Sequence, residues 1–154
     1  MTQRTVINSL SGATLSISAS IPATYDAAGY GATAMVYTDV GEIESFGNYG
    51  VTAAVTEFTP VDTAVVAKVK GSKNYGTMSL MLGHVPVNAG QVIVKAASES
   101  TAAYSVKIAY PDTSVHYLDV LVAKYEYQDG SVNDVLKIAV EFALRRAPVI
   151  VAQV

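Results

Sequence analysis

The 154 residues are 51% hydrophobic but only 15% charged, with a net charge of −3 and no cysteine. This length predicts one core, and the lack of thiols excludes disulfide frameworks, thiolate metal centres and cysteine nucleophiles. An average soluble domain is roughly one-quarter charged, so this chain has little charge to cover a monomer's surface, and extensive contact with copies or partners is expected.

After Arg4, the polar residues Asn8, Ser9, Ser11 and Ser16 interrupt the apolar run that a signal peptide would need, so no secretion signal is expected. No apolar stretch approaches the ~20 residues that span a bilayer, and no membrane partner is expected. The first strand is predicted where Ala13, Leu15, Ile17, Ala19 and Ile21 alternate with Thr14, Ser16, Ser18 and Ser20. Residues 23–34, ATYDAAGYGATA, show neither strand nor helix period, and their glycines and tyrosines suit a segment ordered by a neighbour. Weaker alternation predicts strands at about 40–47, 51–59, 64–70, 76–82, 103–110 and 115–127.

One helix is predicted at about 89–99, capped by Asn88, with Gln91 completing a capping box. Val92, Ile93, Ala96 and Ala97 are its expected apolar stripe. Between Leu118 and Ala123 both strand faces are apolar, and this helix is the expected cover for the second face. The clearest strand follows, where Leu136, Ile138, Val140, Phe142 and Leu144 alternate with Lys137, Ala139, Glu141, Ala143 and Arg145. Turn residues at Gly71-Ser72, Pro111-Asp112 and Asp129-Gly130 separate the runs. Roughly eight strands result, giving a mainly β chain. The predicted fold is a β-sandwich or barrel with one flanking α-helix, in a single domain of residues 1–154. An N-terminal arm, 1–12, and a C-terminal tail, 145–154, are expected to take their order from neighbours, the tail capping a sheet edge on a neighbour or fraying in isolation.

Charge is segregated along the chain. From Thr5 to Ala67 the only charged residues are Asp26, Asp39, Glu42, Glu44, Glu57 and Asp62; from Lys68 to Ser98 they are Lys68, Lys70, Lys73 and Lys95. Such blocks are often no more than solvated faces. In a head-to-tail stack, though, an acidic edge (Asp39, Glu42, Glu44) and a basic segment (Lys68, Lys70, Lys73, with Tyr75) at opposite ends would set polarity.

The chemical motifs are sparse. Gly29, Gly31 and Ala34 fit the spacing of a dinucleotide loop but not its strand-to-helix context. His84 and His116 sit in no catalytic or metal-ligand spacing, and His116, on one strand face with Leu118 and Val120, reads as a partly buried structural histidine. Glu42 and Glu44, two apart on a predicted strand, share a face but lack the apolar pocket that would separate their pKa values. Three lysines in a chain of pI about 5.2 make no nucleic-acid footprint. No catalytic residue, cofactor or metal is expected. The ten tyrosines suit strands and interfaces.

The runs VGEIESFGNYG (40–50), FTP (58–60), KGSKNYGTMSLML (70–82), NAGQ (88–91) and YSVKI (104–108), preceded by ATYDAAGYGA (23–32), resemble the tail tube proteins of long-tailed bacteriophages, in the order found there. The resemblance spans residues 23–144. It implies hexameric rings that join their sheets into an inner β-barrel and stack into a tube in the virion tail, made in the bacterial host cytoplasm. It further implies a tape measure protein and tail end proteins as partners, and a negative lumen through which DNA passes without specific binding. The family's long loop that contacts the neighbouring ring matches about 58–75 here. Residues 145–154 depart from the pattern. Related tubes occur in contractile tails and type VI secretion, and a β-sandwich decoration or adhesion domain is the alternative reading.

Overall fold

A computed structural model describes residue 7 and residues 9–152; of the two expected end segments, residues 1–6, 8, 153 and 154 lie outside it. Among the described residues the strands are β1 (Thr14–Ser18), β2 (Thr38–Val40), β3 (Ile43–Phe46), β4 (Thr52–Phe58), β5 (Ala67–Asn74), β6 (Thr77–Gly83), β7 (Tyr104–Ala109), β8 (Val115–Gln128), β9 (Lys137–Leu144) and β10 (Val149–Val151), so Gly71 and Ser72, expected in a turn, lie inside β5, and the C-terminal tail carries an unexpected strand. The helices are α1 (Ala27–Tyr30) and α2 (Ala89–Glu99). One antiparallel sheet runs β2-β1-β7-β8-β9-β6-β3, with β10 added along β8, while β4 and β5 pair only with each other.

The fourteen-residue β8 joins two half-sheets. Its Val115–Val120 stretch pairs with β7, its Val120–Gln128 stretch pairs with β9, and a register shift between Val122 and Lys124 marks the bend. Curling about this strand brings one face of each half inward. Leu15, Ile17, Val106, Ile108, Leu118 and Val120 meet Met78, Leu80, Leu82, Ile138, Val140 and Phe142 in a single core. The sheet curls so far that β2 and β3, its first and last strands, are separated along the chain by Gly41 and Glu42 alone. The Gly83 N–H donates to the Glu42 carbonyl at 2.7 Å and ties this link to β6. The expected strand over 40–47 is therefore two strands with a corner, where Glu42 takes a left-handed φ of 61°.

Asn88 caps α2, its Oδ1 accepting from the Gln91 N–H at 3.1 Å. Gln91 makes no capping box. Its buried amide donates to the carbonyls of Gly41 at 3.0 Å and Gly83 at 2.8 Å and accepts from the Val85 N–H at 3.0 Å, bonding both sides of the β2–β3 corner. The buried helix face is correspondingly Gly90, Gln91, Val94 and Ala97, and the expected stripe is displaced: Val92 and Ala96 are exposed and Ile93 half-buried. Gly90 fits because a Cβ there would meet the Asp39 carbonyl oxygen at 2.2 Å.

α2 supplies Val94 and Ala97 to the same core that Leu118 and Val120 face, so it does not cover the second face of β8. That face is covered at Tyr117 and Asp119 by the segment after β1, while Leu121 and Ala123 stay exposed. The segment is not without structure: Asp26 caps α1, its Oδ1 accepting from the Gly29 N–H at 2.7 Å. Tyr30 stacks on Tyr117 with ring centroids 5.2 Å apart, and Tyr37 packs beside them. Arg145 and Arg146 both reach the buried Asp119, at 3.7 and 3.2 Å, and the Arg146 guanidinium lies 3.8 Å from the centre of the Tyr25 ring.

Candidate assembly surface

β4 and β5 project from the body as a hairpin that is exposed along nearly its whole length. Its register places Thr56 opposite Val69 and Phe58 opposite Ala67 on one face, and Val55 opposite Lys70 and Glu57 opposite Lys68 on the other. One face is thus uncharged, and the other carries Lys68 and Lys70 with an exposed Lys68–Glu57 ion pair at 3.6 Å. The sign reversal near Ala67 folds back on itself here. Residues 59–66 form the tip, where Val61 is fully exposed, Val65 and Val66 are exposed, and Asp62 is the only charge.

The hairpin's root is held by tyrosines. Tyr49 and Tyr75 pack half-buried against the core, next to Gly50 (φ 156°) and Gly76 (φ 73°), which take backbone conformations that β-carbons disfavour. Tyr49 Oη hydrogen-bonds Tyr110 Oη at 2.6 Å and His116 Nδ1. Burial, and the bond to Tyr110, push the Tyr49 hydroxyl far above its usual range. Burial lowers the His116 pKa from 6.5, partly opposed by Asp112. His116 is therefore a neutral partner in a structural hydrogen-bond network, as its strand position suggests. Beside it an open groove of about 500 Å³ is lined by Tyr49, Val51, Lys73, Tyr75, His116 and Ile150.

The residues expected to form an acidic edge lie at the other end of β6. Gly76 precedes this strand and Gly83 ends it beside Glu42, so about 20 Å of strand separates the hairpin root from the β2–β3 corner. Asp39, Glu42 and Glu44 line one open groove there. They are not a carboxylate pair on a strand face: Glu42 sits in the corner, Glu44 on β3 bridges Lys137 at 2.9 Å, and Asp39 accepts from the Ser16 hydroxyl at 2.5 Å. Asp129 and Asp134, in the turn between β8 and β9, flank Lys137 at the same end. At the root end the Leu144 N–H bonds the Gly76 carbonyl, and the chain runs on into Arg145 and Arg146, which turn to Asp119. Sequence reasoning missed both arginines and the aromatic network, although the adjacent Arg145-Arg146 pair was a visible signal. Among the described residues no group of three or more His, Asp or Glu could hold a metal, and no helix is long and apolar enough to cross a membrane.

Neither a protein-family model nor a curated protein matches the sequence. Solved structures do match the fold. A chain of the PVC extracellular contractile injection system's sheath/tube terminator in the extended state superposes with a TM-score of 0.70 at 9% identity, covering 96% of this chain and 99% of that one. This chain has the fold of tail tube and tube terminator assemblies. A chain of the anti-feeding prophage baseplate gives 0.66 at 14% identity, covering 99% and 98%. The SPP1 tail tube gives 0.63 at 12% identity, covering 92% and 77%.

Proposed function

We propose that this chain is a structural subunit of a phage-type tail tube, assembling through contacts between copies and carrying no catalytic residues. The observation that carries this reading is the β4–β5 hairpin. An isolated two-stranded hairpin is marginally stable in water, and this one exposes an uncharged face and an apolar tip that the chain does not cover. The fold's likeness to proteins from tubes, terminators and baseplates supports the same role. In this reading copies close hexameric rings that stack with the basic hairpin of one copy toward the acidic corner of the next, Lys68, Lys70, Lys73 and Tyr75 serving the contact between rings. Asp39, Glu42 and Glu44 form the acidic edge, and a lumen without a basic stripe lets DNA pass unbound. Its place is the virion tail, with a tape measure protein and tail end proteins as partners.

Electron microscopy of the concentrated, purified protein tests this. Rings or tubes are expected; a chain that stays monomeric in both scattering and microscopy supports the decoration or adhesion reading instead. The likeness to a chain from a tube terminator supports a second form of the proposal, in which the chain ends a tube rather than building its length. Single rings without long tubes would select that form.

A further inference from the structure

We propose that the Tyr110–Tyr49–His116 network is a proton-sensitive latch on the β4–β5 hairpin, holding its root against the body while His116 is neutral and releasing it when His116 takes up a proton. The latch belongs to the single chain; only its effect on assembly rests on the tube-subunit reading.

The network joins three parts of the chain at one atom. Tyr49 leads through Gly50 and Val51 into β4, Tyr110 follows β7, and His116 lies on β8 opposite Ile150 of β10. Among the described residues, the side-chain hydrogen bonds that tie residues 49–76 to the rest of the chain are the two made by Tyr49 Oη. His116 Nε2 has no hydrogen-bond partner among them, and a phenol is a stronger donor than a neutral imidazole N–H. The neutral ring is therefore assigned the Nε2–H tautomer, with Nδ1 accepting from Tyr49 and the Tyr49 oxygen accepting from Tyr110.

A doubly protonated ring can only donate. It turns the Tyr49 proton away, the chain of bonds has to reverse, and Tyr110 loses its acceptor. The new cation also shares its groove with Lys73 on β5, so both strands of the hairpin feel it, β4 through Tyr49 and β5 through Lys73. Asp112, in the β7–β8 turn, offsets the charge, but its carboxylate already accepts from the N–H and hydroxyl of Ser114. The other groups facing the groove, Tyr75, Val51 and the Ala147, Pro148 and Ile150 of the C-terminal segment, are uncharged. The half-buried ring gains by moving its charge to water. Gly50 (φ 156°) and Gly76 (φ 73°) are the hinges on which the freed root turns.

The chain has no cysteine, so a spin-label pair can be placed at Thr56→Cys on β4 and Ala96→Cys on α2, both exposed. The labelled chain is diluted into excess unlabelled chain, so that only distances within one copy are read, and nitrogen NMR of the imidazole follows the His116 titration in the same buffers. Above the His116 midpoint a narrow distance peak and an unprotonated Nδ1 are expected; below it the narrow peak should be lost. His116→Gln keeps an acceptor for Tyr49 without the charge and should stay narrow throughout, whereas Tyr49→Phe, which keeps the ring's packing, should be broad throughout. A wild-type peak unchanged across the titration overturns the proposal, as does equal broadening in His116→Gln, a narrow peak in Tyr49→Phe, or a neutral ring with its proton on Nδ1. None of these outcomes touches the tube-subunit reading. A chain that loses the peak on protonation but forms no rings or tubes at any pH keeps the latch and removes that reading.

Discussion

Protonating His116 places a charge beside the Tyr49 and Tyr110 hydroxyls, with Lys73 across the same groove and only Asp112 to offset it. Burial lowers its folded pKa below 6.5, so the fold favours the neutral ring. The associated stability is present above pH 6.5 and is lost as pH falls through the lower, folded value. Urea titrations of wild type and His116→Gln between pH 7.5 and 5 should show a decline in wild type that the variant lacks; equal slopes would assign the decline elsewhere. The carboxyls of Asp26, Asp112 and Asp134, lowered chiefly by hydrogen bonds from Gly29, Ser114 and Ser131, respond only in stronger acid, below 3.8. Gly90 is a second residue where magnitudes decide the sign. Alanine is the better helix former by about 1 kcal/mol, but its Cβ at 2.2 Å from the Asp39 carbonyl forces α2 off β2. Overpacking costs about 1–3 kcal/mol, so Gly90→Ala should lower the urea midpoint. Phe142, fully buried in the core, should cost about 3–5 kcal/mol on truncation to alanine, read by the same assay.

Elements differ in how much they owe to the rest of the molecule. β6 alternates buried and open residues, β9 does so after a run of three buried ones, and both lie between neighbours on both sides. The strands of the β4–β5 hairpin pair only with each other, and its ends are close, since a Cβ on Gly76 would lie 4.0 Å from the Gly50 carbonyl oxygen. Replacing residues 52–74 with a short Gly/Ser linker should therefore leave the thermal midpoint of the body within a few degrees of wild type while abolishing assembly. A large fall in the midpoint, measured by calorimetry, would show that the hairpin supports the body. α2 illustrates where local pattern misleads. Its limits and its Asn88 cap were readable, but the buried face turned on the β2–β3 corner, whose free carbonyls recruit Gln91 to the interior in place of an apolar side chain.

For the whole molecule the consequential feature is the separation of the hairpin lysines from the acidic corner at the far end of β6. Replacing Lys68, Lys70 and Lys73 with glutamate should leave a folded monomer but shorten or block tubes, and unchanged tube lengths in micrographs would remove any role for these lysines in polarity. Exposed charges are screened within about 8–10 Å at 0.1–0.15 M salt. Wild-type assembly should therefore slow as salt rises toward 0.5 M. Along the chain, alternation identified most strands, the single long helix and the mainly β class, because strand and helix periods are local and follow from which side chains must leave water. The scarcity of charge likewise raised the expectation of contact with copies. Folding alone decided that the first and last strands of the sheet meet at Gly41 and Glu42, that Glu57 lies opposite Lys68, and that Asp119 gathers two arginines from beyond β9. Each of these joins residues distant in sequence through hydrogen-bond register and sheet curvature, and a local period carries no record of which strand will become its neighbour.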